Sequence, residues 1–102
     1  MSEIDRKGSL VIIRPGRDVV YSMVDSFVKE LKQEIEKSPS EIVIDLAKVE
    51  MVDSVGIGVI IAAHNSLKKI GGKMRVENVC DNIYRTFIAM RLNCHFGVEK
   101  SK

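Results

Sequence analysis

The chain has no tryptophan, and aromatic residues make up only 5% of its 102 positions. A core built here must therefore rest on Ile, Val, Leu and Met. Cysteine is scarce too, with Cys80 and Cys94 alone. The opening Met1-Ser2-Glu3-Ile4-Asp5 lacks the basic and apolar regions of an export signal, so the two thiols are read as reduced rather than paired. No apolar run approaches the roughly 18 residues that a membrane span requires, which excludes direct membrane insertion. The expected location is cytoplasmic. Sixteen basic and 14 acidic residues leave a formal charge of +2. These charges are interleaved without a basic block, which argues against a nucleic-acid partner.

What is present is the composition of an ordinary globular protein, 45% hydrophobic and 29% charged, of a length that fits one domain over residues 1–102. There is no linker, repeat or low-complexity segment. Ile4–Arg6 is a short edge strand turning at Lys7-Gly8, and Leu10–Ile13 is a β-branched strand stopped by Pro15-Gly16. Val20, Met23, Val24, Phe27, Val28, Leu31 and Ile35 recur at steps of three and four and predict an amphipathic helix. Lys29, Glu30, Lys32, Glu34 and Glu36 are left for water, and Lys37-Ser38-Pro39 closes the helix. Glu41–Leu46 is the central strand, apolar on both faces and so expected to be covered on both.

A second helix follows over 57–70, with Ile60, Ala63, Leu67 and Ile70 as its stripe and Gly71-Gly72 as its stop. Met74–Val76 is a short strand. Asp81 is the expected N-cap of a third helix whose buried face is Ile83, Phe87 and Met90. Phe96–Val98 forms the last strand, with Glu99–Lys102 expected to fray. The order β-β-α-β-α-β-α-β gives an α/β fold with a mixed, mostly parallel sheet, since strand–helix–strand units make parallel neighbours by right-handed crossovers.

Chemistry concentrates in Val52-Asp53-Ser54-Val55-Gly56-Ile57-Gly58, where a strand hands over to a helix. A serine at such a junction is exposed, beside outward-pointing backbone N–H groups. It is not a nucleophile elbow, because Gly-x-Ser-x-Gly would need glycine at position 52, which is Val. His64 and His95 are the only candidate bases, and His64 falls about three helical turns beyond Ser54. Gly56 and Gly58 lack the third glycine of a dinucleotide fingerprint, as position 61 is Ile, and no Gly-Lys-Ser/Thr follows. Both glycines read as close packing at the helix entrance. Cys80, Cys94, His64 and His95 show no paired ligand spacing, so no metal and no cofactor are expected. Asp45, inside the central strand, needs a hydrogen-bonding partner and is expected to support the loop that follows. Asp53 caps the second helix and either does only that or also orients Ser54.

Ile42-Val43-Ile44-Asp45-Leu46, six residues, then Asp53-Ser54-Val55-Gly56-Ile57-Gly58 resembles the signature of STAS domains, the family of bacterial anti-sigma factor antagonists. The resemblance extends over the hairpin, the first helix, Gly71-Gly72-Lys73-Met74 and the third helix. It implies a non-enzymatic regulator of transcription that works by partner switching. Ser54 would be phosphorylated by an anti-sigma factor that is itself a serine kinase of the histidine-kinase-like ATPase fold. A PP2C-type phosphatase would restore it. Asp53, Ser54, Val55, Gly56, Ile57, Gly58 and Asp18 would form the partner surface. Two departures mark this chain: Val55 stands where the family usually has a small residue, and Gly16-Arg17-Asp18-Val19 replaces a Gly-x-Leu-Asp entry. STAS modules also serve as accessory subunits of membrane transporters and as scaffolds of larger signalling assemblies, and both remain alternatives.

Overall fold

A computed structural model of the chain describes residues 2–101. Two short strands, β1 (Glu3–Lys7) and β2 (Leu10–Arg14), form the opening hairpin. They are followed by α1 (Val24–Glu36), β3 (Glu41–Asp45), α2 (Ser54–Lys69), β4 (Lys73–Val79), α3 (Asp81–Ala89) and β5 (Gly97–Lys100). The sheet runs β1-β2-β3-β4-β5, antiparallel at the hairpin and parallel thereafter. The expected α/β class and element order are those observed.

Strand alternation sorts the sheet into two unlike faces. Val11, Ile13, Ile42, Ile44, Met74 and Val76 point into one core with Phe27 and Leu31 of α1, Ile60 and Leu67 of α2, and Phe87 of α3. Complete burial of each such side chain contributes about 1.5–3 kcal/mol, so this one layer of contacts holds the fold. Among the described residues the opposite face carries no helix, yet the central strand is buried on this face too, as expected, with Val43 fully buried and Asp45 at 7% exposure. There Arg14 pairs with Asp5 at 2.6 Å and Asp45 at 3.2 Å. Arg75 pairs with Glu41 at 2.9 Å and Glu77 at 3.4 Å. Its Nε also lies 3.1 Å from Glu99, a Coulombic contact whose angle does not make an N–H bond. Val43 is fully buried on this face between Ile12 and Arg75 of the flanking strands. The long arginine stems do there what a second helical layer would otherwise do.

Several boundaries differ from the pattern in the sequence, each for a physical reason. Helix α1 starts at Val24, not Val20, because the preceding segment is engaged elsewhere: Val19 forms a parallel bridge to Val52. Glu34, assigned to water, is buried at 3% exposure and accepts from Arg6 Nε at 3.0 Å, with Lys37 Nζ at 3.6 Å. Helix α2 starts at Ser54, one turn before Ile57. Its stop at Gly71-Gly72 holds, with Gly71 at φ 80° and Gly72 N–H donating to Leu67 at 2.8 Å. Ile70 nevertheless lies past the last turn and is 47% exposed.

The N-cap of α3 is Cys80 rather than Asp81, and no side-chain hydrogen bond caps it. Met90 is exposed rather than buried, because α3 ends at Ala89 and Arg91 turns left-handed at φ 59°. The final strand extends through Glu99 and Lys100 instead of fraying: Val79 pairs with Lys100, and Lys100 reaches Asp81 at 3.1 Å. Lys102 lies outside the described residues.

Candidate functional site: the turn into the second helix

Ser54 is the first residue of α2 and is exposed. The backbone beneath it is fixed by two carboxylates acting in opposite directions between two loops. Asp53, the N-cap, accepts from Gly56 N–H through Oδ1 at 2.8 Å and from Tyr21 N–H through Oδ2, also at 2.8 Å. Asp18 answers from the other loop, its Oδ1 accepting from Glu50 N–H at 2.9 Å and Met51 N–H at 3.0 Å. Between them Val19 N–H donates to Met51 O at 3.0 Å, and Asp53 N–H donates to Val19 O at 3.3 Å. The segments 18–21 and 50–53 are thus tied along their whole length. Donation from Gly56 and then Tyr21 holds the Asp53 carboxyl below its usual range, so it is ionised at neutral pH.

The residues singled out in the sequence divide by the direction they face. Ser54, Val55 and Gly58 are exposed. Asp18 and Asp53 are half-buried in the clamp. Gly56 and Ile57 face inward, Ile57 into the core at 6% exposure. Gly56 is where α2 approaches the first loop most closely, since a Cβ there would lie 2.2 Å from the Val19 carbonyl oxygen. Gly58 does not pack closely, as its sequence suggested: a Cβ there meets nothing within 4 Å. It opens instead onto a groove between α1 and α2.

Two residues of this surface carried no sequence signal. Tyr21 is 76% exposed and Met51 57%, and Val55 adds a third large apolar side chain at 43%. Their segments are tied to the start of α2 through backbone: Tyr21 N–H donates to Asp53, and Met51 bonds to Asp18 and Val19, while Val55 follows Ser54 directly. Their signal would have been an apolar residue in a loop, which is common and uninformative until the loop is placed.

Of the remaining candidates, Asp45 and His64 are engaged by the fold, whereas Cys94 and His95 are exposed. Asp45 accepts from Ala47 N–H at 3.0 Å, from Asn78 Nδ2 at 2.9 Å and from Arg14 Nε at 3.2 Å, which secures the start of the loop it was expected to support. His64 packs on Phe96 with ring centroids 5.4 Å apart and lies 6.5 Å from His95. Burial, then Lys68 and His95, lower its pKa below the usual histidine value. It supports the core near β5, three turns along the helix from Ser54.

The profile of the STAS domain matches residues 1–102. The chain is a STAS domain. Its fold is shared with a candidate anti-sigma factor antagonist from Thermotoga maritima, 21% identical with a TM-score of 0.91, over 97% of this chain and 86% of that one. The phosphorylated form of the Bacillus cell-fate determinant SpoIIAA aligns with a TM-score of 0.77 at 15% identity, over 96% of this chain and 90% of that one. A sulfate transporter family protein from Wolinella succinogenes gives 0.78 at 17% identity, over 93% and 80%. The STAS fold is thus common to proteins of quite different description, and function must be argued from the site. No helix among the described residues is long and apolar enough to cross a membrane.

Proposed function

We propose that this STAS domain is an anti-sigma factor antagonist, a non-enzymatic binding protein switched by phosphorylation of Ser54. The observation that carries the reading is an exposed serine at a junction where Tyr21, Met51 and Val55 are also exposed, on loops whose backbone is locked by Asp18 and Asp53. Exposed apolar side chains around a small hydroxyl suit a protein partner. A phosphate there adds about −1.5 to −2 charge. The Gly56 N–H that could have received it is already held by the ionised Asp53. The dianion therefore stands outward beside a carboxylate, in the middle of an apolar contact surface. The interface is spoiled and the fold is kept.

In this reading the unmodified domain binds an anti-sigma factor that is also an ATP-dependent serine kinase of the histidine-kinase-like ATPase fold, which frees the sigma factor. Phosphorylation ends the complex, and a PP2C-type phosphatase restores it. The structural likeness to a sulfate transporter family protein favours one second reading, an accessory module of a transport complex.

The test is calorimetric titration of the purified kinase-type anti-sigma factor of the source organism with wild type, Ser54→Ala and Ser54→Asp. Ser54→Ala should bind like wild type. Ser54→Asp should bind at least about tenfold more weakly, a loss of about 1.4 kcal/mol, with an unchanged melting temperature. Equal binding by all three would remove the switch.

A further inference from the structure

Between α1 and α2 lies a groove of about 260 Å³ that begins at Val55, beside Ser54. Val28, Leu31 and Ile35 form one wall and Val59 and Ala62 the other, with Gly58 leaving the opening. Lys32 is the one charged side chain in the lining. Among the described residues it joins no ion pair. An apolar trough with a single unneutralised ammonium complements a ligand of the reverse pattern, an apolar chain ending in a negative charge.

Size narrows the class further. A cavity of about 150 Å³ accommodates benzene, which allots roughly 25 Å³ to each non-hydrogen atom. By that measure 260 Å³ holds about ten such atoms, the number in octanoate. We propose that the α1–α2 groove binds a small amphipathic anion, a fatty carboxylate of about eight carbons in all whose carboxylate pairs with Lys32. Such a chain lies against Val55, so its occupancy covers the residue next to Ser54 and slows modification there. That consequence rests on the proposed switch, whereas the binding itself does not.

Sodium octanoate, held below its micellar concentration, is the probe, read by amide chemical shifts at neutral pH. Saturable shifts are expected at Val28, Lys32, Val55, Gly58 and Ala62. From hexanoate to octanoate the affinity should rise by about two- to fourfold per methylene, then stop rising for decanoate as the groove is filled. Octylammonium should bind severalfold more weakly than octanoate, and Lys32→Glu should invert that order. Gly58→Leu should abolish the groove shifts while keeping the dispersed spectrum of a folded domain, because a side chain at 58 enters open space.

Three results would overturn the proposal. One is the absence of saturable shifts at the groove in wild type. A second is affinity that climbs without limit as shifts spread over the surface, and the third is octylammonium binding as well as octanoate. The titration needs no phosphorylation, so it can fail while the Ser54 switch stands, and the reverse.

Discussion

Gly56 and Gly58 lie two residues apart in α2, yet a side chain at the first would strike the Val19 carbonyl oxygen and one at the second would meet open space. The same division runs along the helix. Ile57, Ile60, Ala63 and Leu67 are buried against the sheet, while Ser54, Val55, Gly58 and Ala62 face outward. One helix therefore serves as scaffold on one side and as binding surface on the other. The clamp of Asp18 and Asp53 keeps the two functions apart, because the loop that presents Ser54 is anchored to backbone rather than to the residues a partner would touch.

The largest effects should come from breaking the inward side. Gly56→Ala should destabilise the domain by about 3 kcal/mol, since it pushes a methyl against backbone that cannot yield. The melting temperature should fall by more than about 10 °C. Gly58→Ala should stabilise by about 0.5–1 kcal/mol, because alanine is the better helix former and has room. If the two variants melted alike, the division of the helix would be wrong.

Next in size, Tyr21→Ala should leave the melting temperature within about 2 °C and weaken partner binding by about 2 kcal/mol, as for an aromatic anchor at the centre of an interface. Calorimetry and thermal denaturation on one sample separate these outcomes.

The smallest effect is in pH. His64 has a lowered pKa in the fold through burial, then Lys68 and His95. Below its unfolded value of about 6.5 the unfolded chain binds the extra proton, so stability should rise with pH up to that point and level off above it. His64→Gln should flatten this slope in urea denaturation between pH 5 and 7. The depressed Asp53 acts in a lower window: its contribution is complete above about pH 3.9 and is lost as pH falls through its folded value.

Much of this was legible in the residues. Apolar spacing located all three helices, apolar β-branched runs located β2 and β3, and Asp53-Ser54 before an apolar stripe marked the cap. What escaped was what distant segments do to one another. Glu34 reads as a solvated position in α1 until Arg6, 28 residues earlier, arrives over it. Val20 fits the helical spacing, but its neighbour Val19 is taken by a bridge to Val52. Glu99 and Lys100 read as a loose tail, but β4 and Asp81 give them partners. At the site, Asp18 was legible as a residue but not as a clamp, and Tyr21 and Met51 acquire meaning only when two loops meet around Ser54.

The most direct test of the central claim is intact-mass and peptide-mapping analysis of the protein taken from its native cells, with and without phosphatase. The account predicts one phosphatase-sensitive phosphate, on the peptide containing Ser54. No phosphate under any growth condition, or one on another residue with Ser54 unmodified, would contradict it.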